Sequence, residues 1–131
     1  MNIVDSCGWL EYFADGPNTD FFASPIEDIE NLIVPTICVF EVFKRVYQQR
    51  GENAALQAVA LMHQGKTAAL DDICALHAAK CSIDYNIPMA DSIILSIAQL
   101  KKAFIWTQDR DFKNIEGVRY IEAKRKRYSR R

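Results

Sequence analysis

The sequence predicts an α/β domain: a largely parallel sheet covered by helices on both faces. Short apolar runs rich in strand-forming residues, Asn2-Ile3-Val4, Leu32-Ile33-Val34 and Phe104-Ile105-Trp106, alternate with longer segments of helical spacing. No internal repeat or low-complexity segment breaks that alternation, and 131 residues is the size of one ordinary domain. The third observation is that acids follow the apolar runs, Asp5 after the first and Asp109 and Asp111 after the third. In sheets of parallel strands functional clefts lie just beyond the carboxyl ends, which is where these acids fall.

Taken in order, Asn2-Ile3-Val4 reads as a strand running into Asp5-Ser6 and then a helix through Trp9-Leu10-Glu11-Tyr12-Phe13, broken by Gly16-Pro17-Asn18. A short turn over 20–23 is expected before Ser24-Pro25 interrupts again. Leu32-Ile33-Val34 is the second strand. Pro35-Thr36 then opens a helix carrying Val39, Phe40, Val42, Phe43, Val46 and Tyr47 and ending near Arg50-Gly51. The Ala- and Leu-rich stretch 52–63 is helical and closes at Gly65, and 66–70 is the weakest strand candidate. Asp71 or Asp72 caps a helix that Asn86 stops. Pro88 fits the first turn of a helix over 89–102, with Ile93, Ile94, Ile97 and Leu100 as its buried side. The strand at 103–107 follows, and a last one is predicted over 118–121.

Half the residues are hydrophobic and a quarter charged, an ordinary globular balance. No run reaches the eighteen or so apolar residues a membrane span needs, and Met-Asn-Ile-Val-Asp does not read as a signal peptide, so a cytoplasmic protein is expected. Cys7, Cys38, Cys74 and Cys81 form no C-x-x-C pair and fit reduced thiols. Cys74, His77 and Cys81 share a helix face that could offer soft ligands to zinc, but their apolar surroundings favour core packing. His63 suits a helix C-terminus better than a catalytic role. Charge is uneven: 124–131 holds six cations in eight residues, leaving ten cations against seventeen acids in the body, a net of −7. We divide the chain into a domain over 1–123 and a basic tail over 124–131, which reads equally as a nucleic-acid arm and as a solvated terminus.

Four acids stand where apolar residues dominate or where a strand ends: Asp5, Glu41, Asp91 and Asp109. Singly, Asp5 reads as a helix cap, Asp91 as a first-turn acid suiting the helix dipole and Asp109 as a turn aspartate. Glu41 sits among Ile37, Phe40 and Val42 and is expected to be partly buried, which is costly for a carboxylate without a partner. Residues at strand ends and at the starts of following helices face one sheet edge, so the four can converge. Carboxylates packed together raise one another's pKa, and a divalent cation removes the conflict. An oxygen-only cluster suits Mg²⁺ or Mn²⁺, and such ions support phosphodiester hydrolysis.

The order Ile-Val-Asp5-Ser6, Pro35-Thr36 followed by Val-Phe-Glu41-Val, Pro88-Met-Ala-Asp91-Ser92 and Thr107-Gln-Asp109-Arg-Asp111-Phe112 resembles that of PIN-domain ribonucleases, and among them the VapC toxins of bacterial toxin–antitoxin pairs. The resemblance runs to about Tyr120, with no departure at the acidic positions. It implies a PIN-like three-layer α/β/α sandwich with a mainly parallel central sheet, a homodimer, and a cognate antitoxin whose C-terminal segment obstructs the acidic pocket. It further implies a Mg²⁺- or Mn²⁺-dependent endoribonuclease that cleaves RNA through a metal-activated water, leaving 5′-phosphate and 3′-hydroxyl ends. By it, Asp5, Glu41, Asp91 and Asp109 are the catalytic acids, with Asp5, Asp91 and Asp109 holding the metal. Asp111 assists at the margin, and Thr107 and Ser6 orient carboxylates.

Lys44, Arg45, Arg110 and the tail are candidate phosphate contacts, and Trp9, Tyr12 and Phe13 suit a core or dimer contact better than base stacking. The competing reading is a PIN-fold module that binds metal, RNA or antitoxin and cleaves little or nothing. A phosphoacceptor response domain is set aside, because Asp5 comes too early for its central strand.

Overall fold

The computed structural model describes residues 1–124. Five strands, β1 (Asn2–Val4), β2 (Leu32–Pro35), β3 (Lys66–Ala68), β4 (Phe104–Thr107) and β5 (Val118–Tyr120), form one sheet in the order β3-β2-β1-β4-β5, every pair parallel. The order reverses between β1 and β4. Chains leaving these two neighbours part in opposite directions, and the crevice this opens at their carboxyl ends is where α/β sheets carry their sites.

Six helices cover the sheet: α1 (Ser6–Phe13), α2 (Thr19–Glu27), α3 (Thr36–Arg50), α4 (Glu52–Met62), α5 (Asp72–Tyr85) and α6 (Met89–Lys101). Central strands are apolar on both faces, as parallel strands between helices must be, and Ile3, Val4, Val34 and Ile105 are fully buried. Each such side chain contributes about 1.5–3 kcal/mol by leaving water. Gly8 lets α1 sit tightly: a Cβ there would fall 2.5 Å from the Phe22 ring and 2.7 Å from Val4 Cγ1. The close approach seats the start of α1 directly on β1, and so fixes Asp5 and Ser6 at the sheet edge.

The helix starts and stops follow the sequence signals. Asp71 caps α5 by accepting from the Cys74 N–H at 2.8 Å, and Asn86 ends it in the left-handed region at φ 54°. Two expectations differ. Ser24-Pro25 does not interrupt: α2 runs from Thr19 to Glu27 with Pro25 inside it, because Phe22, Pro25 and Ile26 share the buried face and their packing outweighs one lost backbone hydrogen bond. Leu100 is not on the buried side of α6 but 46% exposed, whereas every residue from Asp91 to Ala98 is buried, so α6 is enclosed all round rather than along one stripe. In α5, Cys74 and Cys81 pack in the core as expected, with Ala78 beside them, while Ile73, Leu76 and Ile83 turn outward at 69, 71 and 81% exposure.

His77 meets Gln99 Oε1 at 2.7 Å, and all four cysteines are free. His63 is the residue that ends α4. Among the described residues no helix is long and apolar enough to cross a membrane. Of the basic tail, 125–131 lies outside the described residues.

Candidate active site

The carboxyl ends of β1 and β4 lie side by side, joined by a hydrogen bond from Asp5 N–H to the Trp106 carbonyl at 3.0 Å. Asp5 is buried, and its carboxylate accepts from Ser6 N–H at 2.7 Å, from Thr107 Oγ1 at 2.9 Å and from the Cys7 thiol at 3.4 Å. Burial pushes its pKa up to about 6 against the pull of these three donors. Thr107, the fully buried last residue of β4, also accepts from Asp109 N–H at 2.9 Å, so one hydroxyl orients two acids. Asp109 in turn accepts from Asp111 N–H at 2.9 Å and caps the short 3-10 turn Arg110–Phe112, which the buried Phe112 ring pins to the core.

Asp91 reaches the same edge from the first turn of α6. One oxygen from each of Asp91, Asp109 and Asp111 lies within 4.8 Å of the others, with Asp91 buried, Asp109 half-buried and Asp111 exposed. The Asp91 carboxyl is pushed up to about 8, first by burial and then by the charges of Asp109, Asp5 and Asp111. Asp5 is not one of the three that meet, though its charge is felt by Asp91. Glu41, half-buried on α3, joins the edge through Ser6, whose hydroxyl donates to Glu41 Oε1. Lys44, Arg45 and Arg110 are exposed, Trp9 is fully buried, and Tyr12 and Phe13 are half-buried.

The donor set fits a hard divalent cation. The three converging side chains offer carboxylate oxygens alone, the ligand type that magnesium and manganese prefer. The nearby thiol is not a competing soft ligand: Cys7 is held protonated far above the usual thiol range, first by burial and then by the Asp5 charge. Three residues of this region escape sequence reading. Cys7 looks like any small helical residue, while Asn18 and Gln108 look like turn and loop polars. Gln108 and Cys7 both line a groove of about 580 Å³ between α1, α3 and α4, whose walls include Leu10, Arg45, Val46 and Leu61.

The fold is a doubly wound parallel sheet with acids gathered at its switch point, where α/β folds carry their sites. The PIN domain profile matches residues 3–118, and the chain belongs to the PIN domain family. No curated protein matches the sequence.

Among solved structures, a toxin–antitoxin complex from Klebsiella pneumoniae is similar at a TM-score of 0.75 and 19% identity, over 90% of this chain and 95% of that one. VapC20 of Mycobacterium tuberculosis, a toxin that cleaves the sarcin–ricin loop, is similar at 0.72 and 12%, over 86% and 92%. VapBC2 from Rickettsia felis, bound to a fragment of promoter DNA, is similar at 0.72 and 11%, over 92% and 97%. At these identities the likeness is one of fold.

Proposed function

We propose that the chain is a metal-dependent endoribonuclease acting as the toxin of a toxin–antitoxin pair. The observation that carries this reading is the meeting of Asp91, Asp109 and Asp111 at the carboxyl edge of a PIN domain, with Asp5 and Glu41 beside them. Three or more carboxylates in one cleft repel one another, and a divalent cation reconciles them. Asp91, Asp109 and Asp5 would hold it, with Asp111 at the exposed side. Bound there, Mg²⁺ or Mn²⁺ polarises a phosphoryl oxygen and lowers the pKa of water.

The chain's own residues do the rest. Thr107 and Ser6 keep Asp5, Asp109 and Glu41 aimed at the cleft, and burial on the Asp5 side limits access of bulk water. Lys44, Arg45 and Arg110 are exposed and would supply phosphate contacts.

The partners follow from surfaces. The groove between α1, α3 and α4 begins at Cys7 and Gln108, next to Asp5 and Asp109, so a segment lying in it ends against the acids. Its apolar walls and its Arg45 and Arg50 rim suit an amphipathic antitoxin segment bearing acids. We assign the homodimer contact to the outward stripe of α5, since three aliphatic side chains at least two-thirds exposed are rare on a monomer. Free cysteines accord with the cytoplasm.

The test is direct. Structured RNA incubated with purified, antitoxin-free protein should be cut when Mg²⁺ or Mn²⁺ is added and left intact with chelator. If wild type and Asp91→Asn give the same RNA pattern in metal, the chain is a binding module instead. Deleting 124–131 should spare the fold and flatten the salt dependence of RNA association, by roughly 0.7 in slope for each phosphate the tail neutralises.

A further inference from the structure

We propose that Asn18 is a positioning residue for the acidic edge, acting through Gln108 on the segment that presents Asp109; its functional consequence rests on the metal-site reading above. Asn18 stands just before α2, where an asparagine ordinarily turns its side-chain oxygen onto the first N–H groups of the helix. Here it makes no such cap. Its carboxamide points the other way and donates to Gln108 Oε1 at 2.9 Å and to the Glu122 carbonyl at 3.0 Å. The residue is 2% exposed, and its own oxygen has no partner among the described residues. Helix stability therefore does not explain this side chain, and buried carboxamides are fixed by the bonds they do make.

Those bonds join three separate pieces of chain at the catalytic edge. Asn18 is itself anchored, since its N–H donates to Glu11 Oε2 at 2.6 Å and the next residue, Thr19, bonds to the Glu11 and Gly16 carbonyls. From that fixed point it grips the residue leaving β4, Gln108, and a residue leaving β5, Glu122. Gln108 lies between Thr107, whose hydroxyl orients Asp5, and Asp109, whose N–H bonds to that same hydroxyl. Loss of the Asn18 link frees the Gln108 side chain and loosens the backbone on which the Thr107–Asp109–Asp111 relay depends. The backbone at Thr107 is also held by the Ile121 N–H at 3.0 Å, so the Asn18 link is the side-chain anchor of Gln108 itself.

The experiment compares wild type, Asn18→Ala, Gln108→Ala and the double variant, first without metal and then in Mn²⁺ titration by calorimetry. Native-state amide exchange in the metal-free protein should accelerate by about tenfold at Asp109 and Asp111 in Asn18→Ala, with amides of β1 and α6 unchanged. Mn²⁺ affinity should fall by roughly tenfold. Gln108→Ala should give the smaller version of both effects, and the double variant should be no worse than Asn18→Ala, since the two residues act in series.

Exchange that rises equally everywhere, or a double variant whose losses add, overturns the proposal. So does unchanged Mn²⁺ affinity in Asn18→Ala. If Asn18→Ala does not fold, Gln108→Ala alone decides, because it cuts the same link while leaving Asn18 bonded to Glu122. Absence of Mn²⁺ binding in wild type instead defeats the metal-site reading, and the exchange pattern then decides the role of Asn18 by itself.

Discussion

Two corners of the same sheet edge hold acids in opposite ways. At the β1 corner, Asp5 is buried yet supplied with donors from Ser6, Thr107 and Cys7, so its geometry is set by hydrogen bonds. At the α6 corner, Asp91 faces Asp109 and Asp111 and receives mainly repulsion. Both carboxyls are raised above the ordinary 3.8, Asp5 to about 6 and Asp91 to about 8, each chiefly through burial. After burial the two diverge: donors pull Asp5 back down, whereas neighbouring acids push Asp91 further up. The contrast separates two tasks. On the proposed reading Asp5 is an acid already oriented by its donors, whereas the trio carries an electrostatic conflict that a cation would resolve.

The largest expected effect tests the trio. Asp91→Asn should lower RNA cleavage in Mn²⁺ by a factor on the order of 10³ or more, because it removes a buried carboxylate from the centre of the cluster. A loss under tenfold in single-turnover cleavage would place the chemistry elsewhere.

The second concerns pH. A carboxyl whose folded pKa is raised keeps its proton in the folded state after the unfolded chain has released it, so it weakens folding progressively from about pH 4 upward. The Asp5 contribution is complete above pH 6 and that of Asp91 above pH 8. Metal-free protein should therefore lose melting temperature between about pH 4 and pH 8. Asp91→Asn should recover about 1–3 kcal/mol at about pH 8.5 and almost nothing at about pH 4. Saturating Mn²⁺ should recover about 2.7 kcal/mol at a hundred times its Kd. A melting temperature that rises over this pH range in wild type would contradict the crowding of the trio.

The third probes the organised corner. Thr107→Val removes a donor to Asp5 and the acceptor of Asp109 N–H, and it should cost about 1–3 kcal/mol in urea unfolding and roughly tenfold in Mn²⁺ affinity. The smallest effect is expected at the exposed member of the trio: Asp111→Asn should weaken Mn²⁺ binding only a few-fold, roughly 1 kcal/mol or less. Equal losses at Asp111 and Asp91 would erase the distinction between them.

How much of this could be read from the residues depended on which forces decide each part. Strand runs, helix caps and breaks follow local chemistry, so Asp71 as a cap and Asn86 as a left-handed stop are legible in the sequence. Pro25 is not, since a breaker inside a helix survives only through tertiary packing of Phe22 and Ile26. Leu100 and the split of α5 escape for a related reason: periodicity says that a helix has an apolar side, not which partner covers it.

At the site, the acidic residue types in order pointed to a cluster, but their grouping did not. The trio that meets contains Asp111 and not Asp5, a matter of which carboxylates the 3-10 turn and α6 bring within reach. Asn18 carried no signal at all, because an asparagine after Gly-Pro reads as a turn residue whatever it bonds to across the sheet.

All five strands point the same way, and this has a practical corollary for anyone attaching a probe to the molecule. Met1 enters the sheet at the edge remote from the acids, while Glu122 leaves it beside Asn18 and Gln108. A three-residue strand is only about 10 Å long, so the two ends differ less in distance than in side. A dye or purification handle at the amino end therefore rides on the back of the sheet and should be a silent passenger. A probe attached at Glu122 would instead sit on the same side of the sheet as the acids, beside Asn18, and on the proposed reading would report or obstruct what binds there.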